Sequence, residues 1–407
     1  MNFTNVNVPL ELVHQILEEL HGDPSSLAAC SLVSHVWRPS SQCVLLRDVQ
    51  RDPQEYVEIV KFLSPNDAAS AAPISTYVRN LVLKPKDSPA GHEHPVFLWK
   101  IVAITDALPQ LKSLQLENMQ LFIRRPICAN PTTSGLDSLS LVNISSEGTA
   151  DYVMGTLVAQ YKMKNMRIST IRFQNQIPPM APLRPSVDLS LGLVESLVVR
   201  SPVYTGAIVD FFSQGSLKTL SVSCSTELDT QALNSFLAVG KDSLEYLSLQ
   251  LGKSSVKAPS PSDEDVFRLS LSKCDFLSSL AIRVALPDAA ALRVVSQFIK
   301  HVPESLQSLS LAIALDSKYT LKSGFLHDFT VGLNTHLAWL DNIAPVKPAL
   351  RKINWVWNGP RRTRGQRHPV ASVSKALEAQ LTELVETRFR SLVDQGVLSV
   401  NGECAVV

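Results

Sequence analysis

The residues whose types could do chemistry in this 407-residue chain are few and scattered. His92-Glu93-His94 could begin a metal site, but no further ligand is near in sequence, and beside Lys84-Pro85-Lys86-Asp87-Ser88-Pro89 it reads as a loop. The six cysteines, at 30, 43, 128, 224, 274 and 404, form no C-x-x-C pair, so neither a zinc site nor a disulfide framework is indicated. A reduced setting fits, with a cytoplasmic or nuclear location. Cys404-Ala405-Val406-Val407 has the C-a-a-X form, which makes Cys404 the candidate lipidation site. Its terminal valine is not a typical choice, and one lipid without a polybasic run gives only marginal anchoring. There is no Gly-x-Ser-x-Gly elbow, P-loop, Gly-x-Gly-x-x-Gly or His-Glu-x-x-His, so no nucleophile–base pair can be nominated. The expectation is a chain without catalytic residues, cofactor or metal.

Composition narrows the partners. Net charge is +1 with 18% charged residues, so no global field recruits nucleic acid or an anionic membrane. Hydrophobic residues at 45% argue against long disorder. No run of apolar residues is long enough to span a bilayer, and the first residues lack the basic-then-apolar layout of a signal peptide. One local basic run, Arg361-Arg362-Thr363-Arg364-Gly365-Gln366-Arg367, reads as a solvated loop, an import signal or a contact for an acidic partner. Trp355 and Trp357 just before it leave a partner-facing role open.

These scattered groups must be positioned by two kinds of element. The first is a set of short helices at the amino end. Pro9 suits a first helical position and Glu11 the first turn. Leu12, Val13, Ile16, Leu17 and Leu20 fall at helical spacing. Gly22 is expected to end that helix, and Asp23-Pro24 to start another as N-cap and first residue. Leu27, Cys30, Leu32, Val33, Val36 and Trp37 then supply more apolar surface than so small a unit can bury alone. The pattern predicts that Pro9, Leu12, Ile16 and Leu20 need a partner to cover them.

Val8-Pro9-x-Glu11-Leu12, Ile16, Leu20, Leu27, Cys30, Leu32-Val33-Ser34 and Trp37-Arg38 together resemble an F-box of the type common in fungal F-box proteins. Val8 departs from the more usual leucine by one methylene. The resemblance covers residues 8–38 and implies a trihelical unit that binds the Skp-type adaptor, and through it the cullin, of a ubiquitin ligase. It implies adaptor contacts at Val8, Pro9, Glu11, Leu12, Ile16, Leu20, Leu27, Val33 and Trp37.

The second kind of element is a recurring Leu-x-x-Leu-x-Leu. Clear copies begin at Leu111, Leu136, Leu217, Leu244 and Leu306; looser ones begin at Val78, Ile168, Val194, Leu277 and Leu350. The mean step is about 30 residues, slightly above the roughly 20–29 of leucine-rich repeats. Alternating apolar residues point to one side of a short strand, and stacked copies bury a core that no single copy could make. Amphipathic stretches at 96–107, 230–237 and 288–301 read as helices feeding strands, and 374–393 as a helix that caps the stack. Asn118 and Asn143 fall one residue early for the repeat consensus, so the pattern looks like the degenerate leucine-rich repeat of many fungal F-box proteins. A generic parallel α/β sheet is the plainer alternative.

In each copy, the residue before the middle apolar position should face the open side of the sheet. This column nominates Ser113, Ser138, Thr170, Thr219, Tyr246, Ser308 and Lys352 as the substrate-binding face. The expected fold class is α/β: an N-terminal helical module followed by a leucine-rich-repeat-like solenoid, a horseshoe of parallel strands with helices. The expected organisation is a helical module at 1–48, a connecting helix or linker at 49–75, the solenoid at 76–358, and a basic loop, capping helix and tail at 359–407. Segments 64–73, 84–95, 177–186 and 252–265 read as loops or insertions. The expected function is substrate recognition for a cullin–RING ligase, with a target protein on the repeats. The alternatives are a repeat scaffold whose N-terminal helices pack on its own array, and a hydrolase on an α/β sheet.

Overall fold

The computed structural model describes residues 8–63, 74–86, 94–122, 135–146, 154, 156–157, 160–161, 163–169, 171–173, 194–200, 216–224, 227–251, 271–284, 289–314, 324–343, 347–358 and 370–400. The chain divides into two units, Met1–Leu189 and Ser190–Val407.

The first unit opens with three short helices, α1 (Leu10–Glu19), α2 (Pro24–Val33) and α3 (Trp37–Leu45). Pro9 stands one place outside α1, as its N-cap, where its carbonyl accepts from the amides of Leu12 and Val13 at 3.1 Å. The helix closes at Glu19, and Gly22 lies in the turn that follows. Asp23 caps α2 as expected, accepting from the amides of Ser25 at 3.1 Å and Ser26 at 3.2 Å. The Ser25 hydroxyl, followed by the Ser26 hydroxyl and amide, holds the Asp23 carboxyl down at about 2, against 3.8 for a free aspartate. A depressed carboxyl contributes stability that is complete above 3.8 and lost as pH falls through about 2. Asp23→Asn keeps an acceptor but removes this ionisation, so its helical circular dichroism should lose that part of the acid transition. Asp23→Ala removes the acceptor as well and should lower the thermal midpoint further. Equal midpoints for wild type and Asp23→Ala would show that the cap is idle.

Val13, Leu17, Leu27 and Val44 form the core of this three-helix unit, with Leu20, Cys30, Trp37 and Leu45 packed against it. Such a core is small, and the unit is fastened to the sheet directly behind it. Arg47 donates to both carboxylate oxygens of Glu18 at 2.9 and 3.0 Å, and its carbonyl accepts from the amides of Arg79 and Asn80. His21 lies 3.0 Å from Asp48.

The sheet of the first unit is parallel, in the order β1 (Asp48–Arg51), β2 (Asn80–Leu83), β4 (Ser113–Phe122), β5 (Leu136–Ser146), β6 (Met163–Ile168). Two short strands, β3 (His94–Phe97) and β7 (Ile171–Phe173), pair with the far ends of β4 and β5. Asn118 and Asn143 sit at the change of partner, each with φ of 52°, and the amide of Asn143 donates to the side-chain oxygen of Asn118 at 2.9 Å. A left-handed residue inside a strand re-aims it, and asparagine tolerates that conformation better than most residues. Helices α4 (Tyr56–Leu63) and α5 (Leu98–Asp106) also belong to the unit, with Ile101 and Ile104 fully buried.

The second unit has its own parallel sheet: β8 (Ser196–Val199), β9 (Thr219–Cys224), β10 (Tyr246–Leu251), β11 (Ser279–Val284), β12 (Ser308–Ala314), β13 (Lys352–Asn358) and β14 (Leu398–Val400), paired in that order. Helices α6 (Glu227–Gly240), α7 (Ala289–Lys300) and α8 (Phe325–Gly332) connect successive strands, and α9 (Val370–Arg388) with α10 (Arg390–Asp394) leads into β14. Leu381 and Val385 of α9 are buried, Phe389 just beyond it stacks on the buried Trp355, and the indole of the buried Trp357 donates to Thr382 at 3.0 Å. Alternation puts Trp355 and Trp357 on the inward side of β13, and the basic run after them, for which a partner-facing role was open, lies outside the described residues. The sheet of neither unit closes into a barrel. The repeat pattern did not register β1 and β14, which extend the sheets beyond residues 76–358 at either end.

Candidate docking and recognition surfaces

Position on a helix decides which apolar residues of the N-terminal unit are left outside. Val13 and Leu17, one turn apart, fill the core, and Leu12 and Ile16 stand one residue back, rotated about 100° around the axis. Both are open, at 48% and 44% exposure, together with Val8 and Leu10. At the junction of α2 and α3, Leu32, Val33 and Val36 are 78%, 69% and 63% exposed. Large apolar side chains clustered this densely on a surface mark an interaction site.

The residues nominated from the sequence divide accordingly. Val8, Pro9, Glu11, Leu12, Ile16 and Val33 are exposed. Leu20 and Trp37 are half-buried and pack on the core of their own unit. Leu27 is 1% exposed and faces inward, so it supports the ridge and cannot touch a partner; this corrects its assignment as a contact. Leu10, Leu32 and Val36 belong to the exposed set and were not nominated. Their apolar type was visible in the sequence, but the side they face depends on how α1 to α3 pack.

The nominated column on the sheets is a matter of register. In the first unit, Asp48, Asn80, Ser113, Ser138 and Asn165 lie side by side. The Ser138 hydroxyl donates to that of Ser113 at 2.8 Å, and the Asn80 amide donates to Asp48. The strand next to β5 is β6, and Asn165 pairs with Ser138; the nominated Thr170 lies outside the described residues. The sequence misled because Ile168-x-x-Ile171-x-Phe173 matches the repeat as well as Met163-x-x-Met166-x-Ile168 does, and only the hydrogen-bond ladder chooses between them. In the second unit, Ser196, Thr219, Tyr246, Ser279, Ser308 and Lys352 are in register as expected.

Other candidate groups carry little chemistry. Burial first, then the nearby carboxylates, pushes the Cys274 thiol up to about 11, so it is no nucleophile at neutral pH. Desolvation also raises Tyr161, whose hydroxyl lies 3.1 Å from that of Thr105. The ammonium of Lys347 donates to the carbonyl of Val302, and its pKa is lowered by burial. Among the described residues, no three His, Cys, Asp or Glu side chains gather as a metal site, and no helix is long and apolar enough to cross a membrane. His92, Glu93, the basic run at 361–367 and Cys404 lie outside the described residues, as do the segments 177–186 and 252–265.

The chain matches no protein-family model, and no curated protein matches it.

Proposed function

We infer that this chain is a non-catalytic substrate receptor of a cullin–RING ubiquitin ligase. The observation that carries the reading is the exposure of Leu12 and Ile16 along one ridge of α1 and of Leu32, Val33 and Val36 at the junction of α2 and α3. It coincides with the segment that resembles an F-box, and it gives a Skp-type adaptor a surface to cover. Two features support the leucine-rich-repeat reading of the sheets. Parallel strands recur with apolar residues inward and mostly polar residues outward. Asparagines at the strand turn bond to each other across β4 and β5.

The mechanism is proximity. The helical unit holds the adaptor, the repeats hold a target, and the target's effective concentration beside the conjugating enzyme rises without any bond chemistry in this chain. The pairs Arg47–Glu18 and His21–Asp48 favour this, because they fix the helical unit against the first strand and so limit the search. A scaffold whose N-terminal helices lay the ridge on their own array would bury Leu12 and Ile16, and both are open.

Mixing the purified chain with a purified Skp-type adaptor tests the reading. A stable complex with a Kd of about 1 µM or tighter, an affinity near −8 kcal/mol, is expected by calorimetry. No heat and no co-elution at ten times that concentration would reject it.

A further inference from the structure

The two sheets present different charge. In the first unit, the outward side chains carry both signs: Glu117 pairs with Lys84 at 3.0 Å, and Asp48 stands beside Asn80. In the second unit, the outward positions of β8 to β14 carry Arg283 and Lys352 and no Asp or Glu among the described residues. The acids of that region lie elsewhere. Glu195 and Glu245 precede their strands at the rim, and Glu195 lies 3.6 Å from Lys218. Arg283 and Lys352 have no carboxylate partner among the described residues, in a chain whose net charge is only +1.

The rest of the face is small and rich in hydroxyls. Ser279 and Ser308 share the row of Lys352, Ala281 and Ser310 lie in the next, and Ala312 and Val356, both buried, share the row of Arg283. A guanidinium and an ammonium are donors only, and hydroxyls can donate to whatever the cations attract. The complementary ligand offers acceptors and negative charge, and an incoming lysine or arginine would meet repulsion. The spacing adds a dimension. Lys352 shares a register row with Ser308 and Ser279, two strands from β11, and Arg283 lies four residues further along β11. At about 4.8 Å per strand and about 3.3 Å per residue, the two cations are about 16 Å apart. An extended chain covers that in about five residues.

We propose that the outward face of β8 to β14 docks an extended acidic segment of a partner protein, with Asp or Glu carboxylates about five residues apart held by Arg283 and Lys352. This rests on the receptor reading and names the chemical class of its target.

The probe is a fluorescent peptide of alternating glutamate and serine, with lysine–serine, glycine–serine and phosphoserine–glycine peptides as comparisons. Anisotropy is measured on the full chain at low and physiological salt. The glutamate peptide should bind, weaken with salt, and lose about tenfold in affinity for each of Arg283→Gln and Lys352→Gln. Any of four results overturns the proposal. They are binding by the double variant as tight as by wild type, binding of the glycine or lysine peptide as tight as that of the glutamate one, loss of binding when Arg361, Arg362, Arg364 and Arg367 are changed to Gln, and binding of the phosphoserine peptide where the glutamate peptide does not bind. Unchanged thermal midpoints show that the variants remain folded. Adaptor capture is scored on the same proteins. Its absence with peptide binding intact removes the receptor reading alone; its presence without peptide binding removes the acidic-segment proposal alone.

Discussion

Leu12→Asp combined with Ile16→Asp is expected to abolish the proposed capture of a Skp-type adaptor and to leave the thermal unfolding of the chain unchanged. Both side chains are nearly half exposed and lie outside the Val13–Leu17–Leu27–Val44 core, so placing a carboxylate there costs the free protein little. Docking would change that balance. Covering each aliphatic side chain contributes about 1 kcal/mol, and covering an unpaired carboxylate instead costs several. The double substitution should therefore lower affinity by a factor of about a thousand or more. Leu17→Ala is the contrasting case. Leu17 is fully buried, and its truncation costs about 2–5 kcal/mol, enough to unfold so small a unit and lose capture through instability. Capture that survives the double aspartate change would remove the docking assignment, and with it the ligase reading.

Trp355→Ala is expected to cost the second unit about 3–5 kcal/mol. Trp355 is fully buried and sits between Trp357 and Phe389, with ring centroids 6.0 and 6.2 Å away. Phe389 lies just beyond α9, so the cavity would loosen the helix that covers the last strands. The urea midpoint should fall, and the helical signal of α9 should melt first. Trp355→Phe separates packing from polarity. The Trp355 indole N–H is buried with no acceptor among the described residues, unlike that of Trp357. Phenylalanine keeps most of the apolar contact and removes an unpaired donor, so its cost should be well under half that of alanine. A midpoint that barely moves in Trp355→Ala would mean that the ring is not packed as described.

The legibility of the chain followed the range of the forces involved. The cap at Asp23, the helices at 96–107 and 288–301 and most of the strand register depend on near neighbours and on alternation, and these lie within the sequence. The structure places the helices at Leu98–Asp106 and Ala289–Lys300. The choice of β6 over the repeat match at 168–173 and the unregistered strands β1 and β14 share another cause. Asp48-Val49-Gln50-Arg51 and Leu398-Ser399-Val400 have little pattern of their own and become strands by bonding to a neighbour far away in the chain. Leu27 shows the same limit for a side chain: it was legible as apolar, but its direction was set by what packs on it.

By itself, the sequence determined the periods: helical spacing up to Trp37, then alternating apolar residues recurring about every 30 positions. Those periods require buried stripes and name the residues within them. Only the tertiary structure decided which stripes are already covered. It sank Leu27, left Leu12, Ile16 and Leu32 in water, and gathered Arg283 and Lys352 on a face without carboxylates among the described residues. The reason is physical: the hydrophobic effect rewards removal of area from water and has no direction of its own, so contacts between distant segments choose which side is buried.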